Sequence, residues 1–165
     1  MTSPISSPAA GARLLSNGRF TTLTTPAGTG YSEVGGVALT RWLGDPVQDA
    51  DGSVIYLRDL DSKQYWSVGM RPCAAAGALH DSGAGDGAAW LSCTYLGIEA
   101  RLEIAVAADA DLELRTLSLR NLGAGSRRIE VTSYSEVVLN ARAAEASHPA
   151  FSKLFVQTEW VAEAG

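Results

Sequence analysis

Arg41 and Trp42 stand side by side in Thr40-Arg41-Trp42, with Asp45 and Asp49 close behind. An arginine beside an indole suits a sugar, because a pyranose offers apolar C–H faces to an aromatic ring and hydroxyls to a planar, charged hydrogen-bonder. The same residues also suit a structural ion pair next to a half-buried tryptophan. A second candidate is the loop Thr25-Pro-Ala-Gly28-Thr-Gly30-Tyr31-Ser32. Its glycines admit backbone conformations that other residues resist, so Gly28 and Gly30 can bring N–H groups close to a ligand, with Tyr31 and Ser32 alongside. No third glycine follows at the dinucleotide spacing, and no Gly-Lys-Ser/Thr, so this is not a phosphate loop. A plain hairpin turn is the alternative. Third comes His148-Pro149-Ala-Phe151-Ser152. The proline holds His148 extended, and Phe151 must bury or stack; a hydrogen-bonded structural histidine is the alternative.

Residues for bond-breaking chemistry do not assemble. Asp59 and Asp61 lie two apart at a strand end and could meet the roughly 5–9.5 Å separation of a glycosidase carboxylate pair. Their place at a turn reads instead as capping. His80 falls in a stretch rich in alanine and glycine and is read as solvated. There is no Ser/His/Asp order with a nucleophile elbow. Accordingly no catalytic residue is assigned. Cys73 and Cys93 are the only cysteines. They are too few for an all-cysteine zinc site, and no paired histidines lie near them, so no metal and no cofactor is assigned. A disulfide is one option; free thiols in a reducing compartment is the reading adopted, which implies a cytoplasmic location.

The bulk numbers bound the rest. With 165 residues, 46% hydrophobic and 19% charged, the chain fits one globular domain with a sizeable core. A net charge of -5 argues against a nucleic-acid partner, which needs a clustered positive field. Arg127-Arg128, flanked by Glu130, reads as an exposed strand edge of mixed charge. No stretch approaches the roughly 20 apolar residues needed to span a bilayer. Residues 1–13 read as a disordered tail or linker and 14–165 as the domain, a fragment of a longer enzyme.

Strands must position these candidates. Ile98, Ala100, Leu102, Ile104 and Val106 alternate with Glu99, Arg101, Glu103 and Ala105, a period of two with one apolar face. Leu112 to Arg120 is a strand whose apolar set changes phase after Leu114, which predicts a bulge or cover on both faces. Arg127 to Leu139 reads as one long strand and Leu154 to Val161 as another. Earlier strands are Arg19–Thr25, Val37–Trp42, Val54–Asp59, Tyr65–Val68 and Ala89–Tyr95. The segment from Ala74 to Ala88 reads as a surface loop of low order. Only Asn140 to Ala146 has helix-forming composition, limited to a turn or two by Pro149. Roughly nine short antiparallel strands with regular turns imply an all-β sandwich.

In their order, several segments resemble a known family. Leu14-Leu-Ser-Asn17-Gly18-Arg19-Phe20, Gly28-Thr-Gly30-Tyr31-Ser32, Thr40-Arg41-Trp42, Tyr56-Leu-Arg58-Asp59 and Trp66-Ser67 look like the N-terminal part of glycoside hydrolase family 94, formerly glycosyltransferase family 36. Ser133-Tyr134-Ser135-Glu136-Val137-Val138-Leu139 and His148-Pro149-Ala150-Phe151-Ser152-Lys153-Leu154-Phe155 match it too. The likeness runs from about Leu14 to Trp160. It is strongest to the phosphorylase-like region of cyclic β-1,2-glucan synthases, and extends to cellobiose phosphorylases. The family's loop often carries three consecutive glycines where this chain has Gly28-Thr29-Gly30.

The resemblance implies a β-supersandwich of the galactose-mutarotase-like kind, preceding a linker and an (α/α)6 barrel that holds the general acid and most of the phosphate site. It implies a β-glucan or oligosaccharide partner, inorganic phosphate acting through the barrel, and a homodimer. The place would be the cytoplasm, including the cytoplasmic part of an inner-membrane protein. By position, Gly28, Gly30, Tyr31, Ser32, Arg41, Trp42, His148 and Phe151 are the expected substrate-binding residues. Two other readings stand beside a non-catalytic domain of such an enzyme: an autonomous carbohydrate-binding module, and a structural scaffold for dimerisation.

Overall fold

A computed structural model describes residues 11–45 and 47–162. Twelve strands and two short helices follow in order: β1 (Arg13–Ser16), β2 (Phe20–Thr24), β3 (Gly30–Val34), β4 (Val37–Thr40), β5 (Ser53–Asp59), β6 (Tyr65–Ser67), β7 (Leu79–Gly85), β8 (Ala88–Tyr95), β9 (Ile98–Val106), β10 (Glu113–Asn121), β11 (Ile129–Ser135), β12 (Val137–Asn140), α1 (Arg142–Ser147) and α2 (Pro149–Lys153). They form three antiparallel sheets, ordered β1-β2-β3-β4-β12, β10-β9-β8-β7 and β11-β5-β6. The all-β supersandwich is the observed architecture.

The core follows from the period-two pattern. In register, Ala89 lies opposite Ile104, Leu91 opposite Leu102 and Cys93 opposite Ala100, so one face of the β8–β9 pair is wholly apolar. Onto that face the β11-β5-β6 sheet lays Leu57, Trp66 and Val68, all fully buried. Strands β1 and β2 of the five-stranded sheet contact β8 and β9 as well. A polar bridge ties the three sheets at one rim. Ser32 donates to Glu113 at 2.6 Å, Glu113 pairs with Arg115, and Arg115 Nη1 donates to the Ser53 carbonyl at 2.9 Å. Burial opposes the Glu113 charge, but Arg115 and the Ser32 and Thr22 hydroxyls outweigh it and lower its pKa.

The structure departs from the sequence reading in six places. The expected loop at Ala74–Ala88 contains β7, which pairs along its whole length with β8 from Ala88 to Thr94. Gly83 sits against the Trp90 ring, where an added Cβ would come within 2.6 Å, so a small residue there is a packing requirement. His80 therefore lies in a strand and is half-buried, with Nδ1 3.3 Å from the Val68 carbonyl and Nε2 3.9 Å from Cys93 Sγ, rather than solvated. The long strand from Arg127 splits at Glu136: β11 joins β5 while β12 joins β4, in a different sheet. No strand forms over Leu154–Val161; Leu154 caps α2 and the described residues beyond it carry no ladder. Strand β10 keeps continuous register with β9 from Glu113 to Asn121, so the phase change of its leucines is no bulge. Leu117 packs on the core while Leu114 points to the opposite face and is exposed. The expected tail at 1–13 falls outside the described residues up to residue 10; from Arg13 onward the chain is already in β1.

Candidate functional site

Strand alternation puts Tyr31 and Glu33 on one face of β3 and Ser32 on the other. Strand β4 ends at Thr40, so Arg41 and Trp42 leave the sheet beside Tyr31; the Ser32 N–H donates to Thr40 Oγ1 at 3.0 Å and fixes this approach. The Tyr31 and Trp42 rings lie 5.7 Å apart at 32°. Helix α1 then brings Arg142 and Glu145, three apart and thus on one helical face, over the same spot. The Arg142 guanidinium sits 3.2 Å above the Tyr31 ring, and its Nε donates to Glu33 at 2.8 Å.

Arg41 is the hub. Its Nε donates to Glu145 Oε1 at 2.7 Å, its Nη2 also reaches Glu145, and its Nη1 meets Glu136 at 2.8 Å. The Arg41 N–H donates to the Glu136 carbonyl at 3.0 Å. Side-chain exposures of 15% for Arg41 and 6% for Glu145 make this a nearly buried pair. Burial opposes the Arg41 charge, but the Glu145 hydrogen bond and the Glu136 and Glu145 charges outweigh it, so its pKa lies above the ordinary value. The sequence had placed Asp45 and Asp49 as its partners. They are occupied elsewhere: Asp45 accepts from the Val47 and Gln48 N–H groups, and Asp49 from the Thr29 hydroxyl at 2.7 Å.

Beside Arg41 lies a cavity of about 130 Å³, walled by Thr40, Trp42, Leu43, Val138, Arg142 and Glu145 among others. Trp42 Nε1 and Arg142 Nη2 are buried there without a hydrogen-bond partner. These two donors, one of them the indole N–H, and the Glu145 carboxylate of the wall are groups that suit acceptor oxygens and hydroxyls, such as those of a hydroxylated ring.

Of the expected site residues, Tyr31, Arg41 and Trp42 converge. Gly28 and Gly30 are drawn into packing instead. Gly28, with φ +91°, lies against Gly69, where an added Cβ would be 2.7 Å from the Gly69 Cα; Gly30, with φ +152°, presses on β2, where a Cβ would come 1.8 Å from the Leu23 carbonyl oxygen. The loop between β2 and β3 is a hairpin turn, closed by Thr25 and Thr29 hydroxyls 2.7 Å apart. Ser32 faces the inter-sheet bridge, away from the cavity. His148 and Phe151 are exposed: His148 caps α2, and Phe151 meets Phe155 edge-on at 5.3 Å. Neither walls the cavity. Asp59 is a turn cap. It is buried and accepts from the Asp61 N–H, Ser62 and Arg127, which hold its carboxyl well below the usual carboxylate range.

Glu33, Glu136, Arg142 and Glu145 escaped the sequence reading. Their one local signal is the Arg142–Glu145 spacing within an alanine-rich turn, and that looks like any solvated helix pair.

Comparison with known proteins gives the site its context. The family model described as glycosyl hydrolase 94, supersandwich domain, matches residues 2–165. The chain is 41% identical over 146 residues to a cyclic beta-(1,2)-glucan synthase, NdvB, of Rhizobium meliloti (strain 1021), covering 88% of this chain and 5% of that protein. It is 28% identical over 134 residues to an N,N'-diacetylchitobiose phosphorylase of Vibrio proteolyticus, covering 78% of this chain and 17% of that protein. The chain thus spans a small part of the length of these relatives.

Proposed function

The chain belongs to the glycosyl hydrolase 94 supersandwich family, and we propose that it is the non-catalytic β-sandwich of a carbohydrate-active enzyme, supporting glucan binding and dimerisation for an (α/α)6 barrel that performs the chemistry. The observation that carries this reading is the family match along the whole chain, joined to relatives named for β-1,2-glucan synthesis and disaccharide phosphorolysis. In the phosphorylase case, inorganic phosphate would attack the anomeric carbon within the barrel as the glycosidic C–O bond breaks and the departing sugar oxygen takes a proton from the barrel's general acid. The sandwich contributes binding surface. Tyr31, Arg41 and Trp42 are the contact residues proposed from this chain, with Arg142 and Glu145 completing the wall. A cytoplasmic location, including the cytoplasmic part of an inner-membrane protein, belongs to the same proposal and is supported by the free thiols of Cys73 and Cys93. Among the described residues no helix is long and apolar enough to cross a membrane.

The second reading, an autonomous carbohydrate-binding module, is favoured by the orphaned donors of Trp42 and Arg142. Calorimetric titration of the chain with β-1,2-gluco-oligosaccharides tests the shared element. Saturable binding that is lost in Trp42→Ala supports sugar contact at the cavity, and no binding at any oligosaccharide length refutes it. Phosphorolysis of an oligosaccharide by this chain alone refutes the non-catalytic role. Light scattering addresses dimerisation: a strict monomer at high concentration removes that part of the proposal.

A further inference from the structure

Away from the Trp42 cavity, the register of the three-stranded sheet gathers aromatic residues on its outer face. Leu57 and Trp66 point inward, so their neighbours Tyr56, Arg58 and Tyr65 point outward, while Ser67 on the same side is buried under the Cys73 segment. Thr132 pairs with Tyr56 and Glu130 with Arg58, which adds the outward residues of β11 to the same surface, and Tyr134 follows two positions along. Tyr65 is 65% exposed and Tyr134 52%. Tyr56 and Tyr134 meet edge-on at 6.5 Å, a spacing that holds both rings in fixed orientation.

Two grooves run along this face and share Tyr56 and Tyr65. One, of about 620 Å³, passes Gln64, Cys73 and Tyr95; the other, of about 260 Å³, passes Arg58, Glu130 and Thr132. Arg58 and Glu130 are paired at 3.7 Å, so the positive and negative charges of the second groove cancel. Apart from that pair, the polar groups of the two grooves are phenol, amide, thiol and hydroxyl groups, all neutral. That charge balance selects a neutral hydroxylated ligand over an anion or a nucleic acid. From strand spacing and rise, Tyr134 and Tyr65 stand roughly 16 Å apart across the face, a span for an oligomer rather than a single ring.

We propose that the outer face of the β11-β5-β6 sheet is a second carbohydrate-contacting surface, across which a neutral β-glucan chain lies on Tyr65, Tyr56 and Tyr134. The proposal rests on the carbohydrate reading given above, and it adds a site separate from the Trp42 cavity. Aromatic rings take the apolar faces of successive sugars, while Gln64, Thr132 and the edges of the Arg58–Glu130 pair take hydroxyls.

Titration of the full chain with β-1,2-gluco-oligosaccharides of increasing length, in wild type, Tyr65→Ala, Tyr134→Ala, Tyr65→Phe and Trp42→Ala, tests it. The exposed tyrosines can be replaced without opening the core, and circular dichroism checks that the fold is kept. We expect affinity to rise with oligosaccharide length and to fall about tenfold in Tyr65→Ala and in Tyr134→Ala, as loss of a stacking ring implies. Tyr65→Phe, which keeps the ring, should stay within about threefold of wild type. Unchanged affinity in both alanine variants, with loss in Trp42→Ala, overturns this surface and leaves the Trp42 reading standing. Absence of binding in the wild type overturns both. Self-association of the wild type that disappears in Tyr65→Ala, with sugar affinity unchanged, marks the face as a protein contact and also overturns the proposal.

Discussion

Replacing Gly30 by alanine separates a ligand loop from a packing joint. The geometry sets the size of the effect. A Cβ at position 30 would come 1.8 Å from the Leu23 carbonyl oxygen and 3.1 Å from the Thr24 Cα, and both are backbone. Neither can rotate away, so β2 and β3 must part. The residue also sits at φ +152°, which side-chain-bearing residues resist. Backbone strain of about 1–3 kcal/mol and overpacking of about 1–3 kcal/mol together predict a loss of roughly 2–6 kcal/mol, a large share of a domain's usual ~5–15 kcal/mol. Gly18→Ala is the control. It too has positive φ, at +91°, but a Cβ there meets nothing within 4 Å, so about 1–2 kcal/mol is expected. Urea unfolding followed by tryptophan fluorescence and circular dichroism measures both, with Trp66 in the core as the internal reporter. If Gly30→Ala unfolds at the same urea concentration as Gly18→Ala, the steric argument is wrong and the loop is free to serve a ligand.

Three further outcomes follow from the site and the core. Arg41→Ala leaves Glu145 nearly buried and without its main partner, so a loss of about 3–5 kcal/mol is expected; hydrogen exchange should show α1 losing protection first, and normal protection of α1 would contradict the clamp. Asp59 has its pKa lowered in the folded state by the Asp61 N–H, Ser62 and Arg127, so the unfolded chain takes up the proton first. Its contribution is therefore complete above the ordinary carboxylate pKa of about 3.9 and is lost as pH falls below it. Acid unfolding of Asp59→Asn should be flatter than wild type below about pH 4 and less stable than wild type at pH 7, and parallel curves would refute the assignment. Burial pushes the Cys93 thiol up to about 11, so at pH 8 roughly one molecule in a thousand carries the thiolate. Mass spectrometry after alkylation should find Cys93 unmodified in the folded chain and modified in denaturant; rapid labelling of the folded chain would show the strand open.

Much of this protein was legible in local pattern. The alternation from Ile98 to Val106 specifies β9 to the residue, since a period of two with one apolar face admits a single register against a core. The turn at Asp59 and Asp61 was legible for the same local reason: a short polar side chain bonds its own backbone, as Asp59 does with the Asp61 N–H. The ordered motifs likewise led to the family.

Tertiary structure decided what depends on distant neighbours. Leu79–Gly85 has weak strand character on its own, yet it becomes β7 because β8 presents an open ladder and Trp90 needs the space left by Gly83. The chain divides at Glu136 because Val137 pairs with Thr40 while Ser135 pairs with Ser53, a choice between sheets that periodicity cannot express. Leu154–Val161 has a strand's composition, but no ladder receives it among the described residues. The same holds for the candidate site. Arg41 and Trp42 were visible as a pair, but the partners that define them, Glu136, Arg142 and Glu145, lie about a hundred residues further along. An ion pair of that separation leaves no mark on local spacing. It exists only because β12 returns beside β4 and turns α1 over Tyr31.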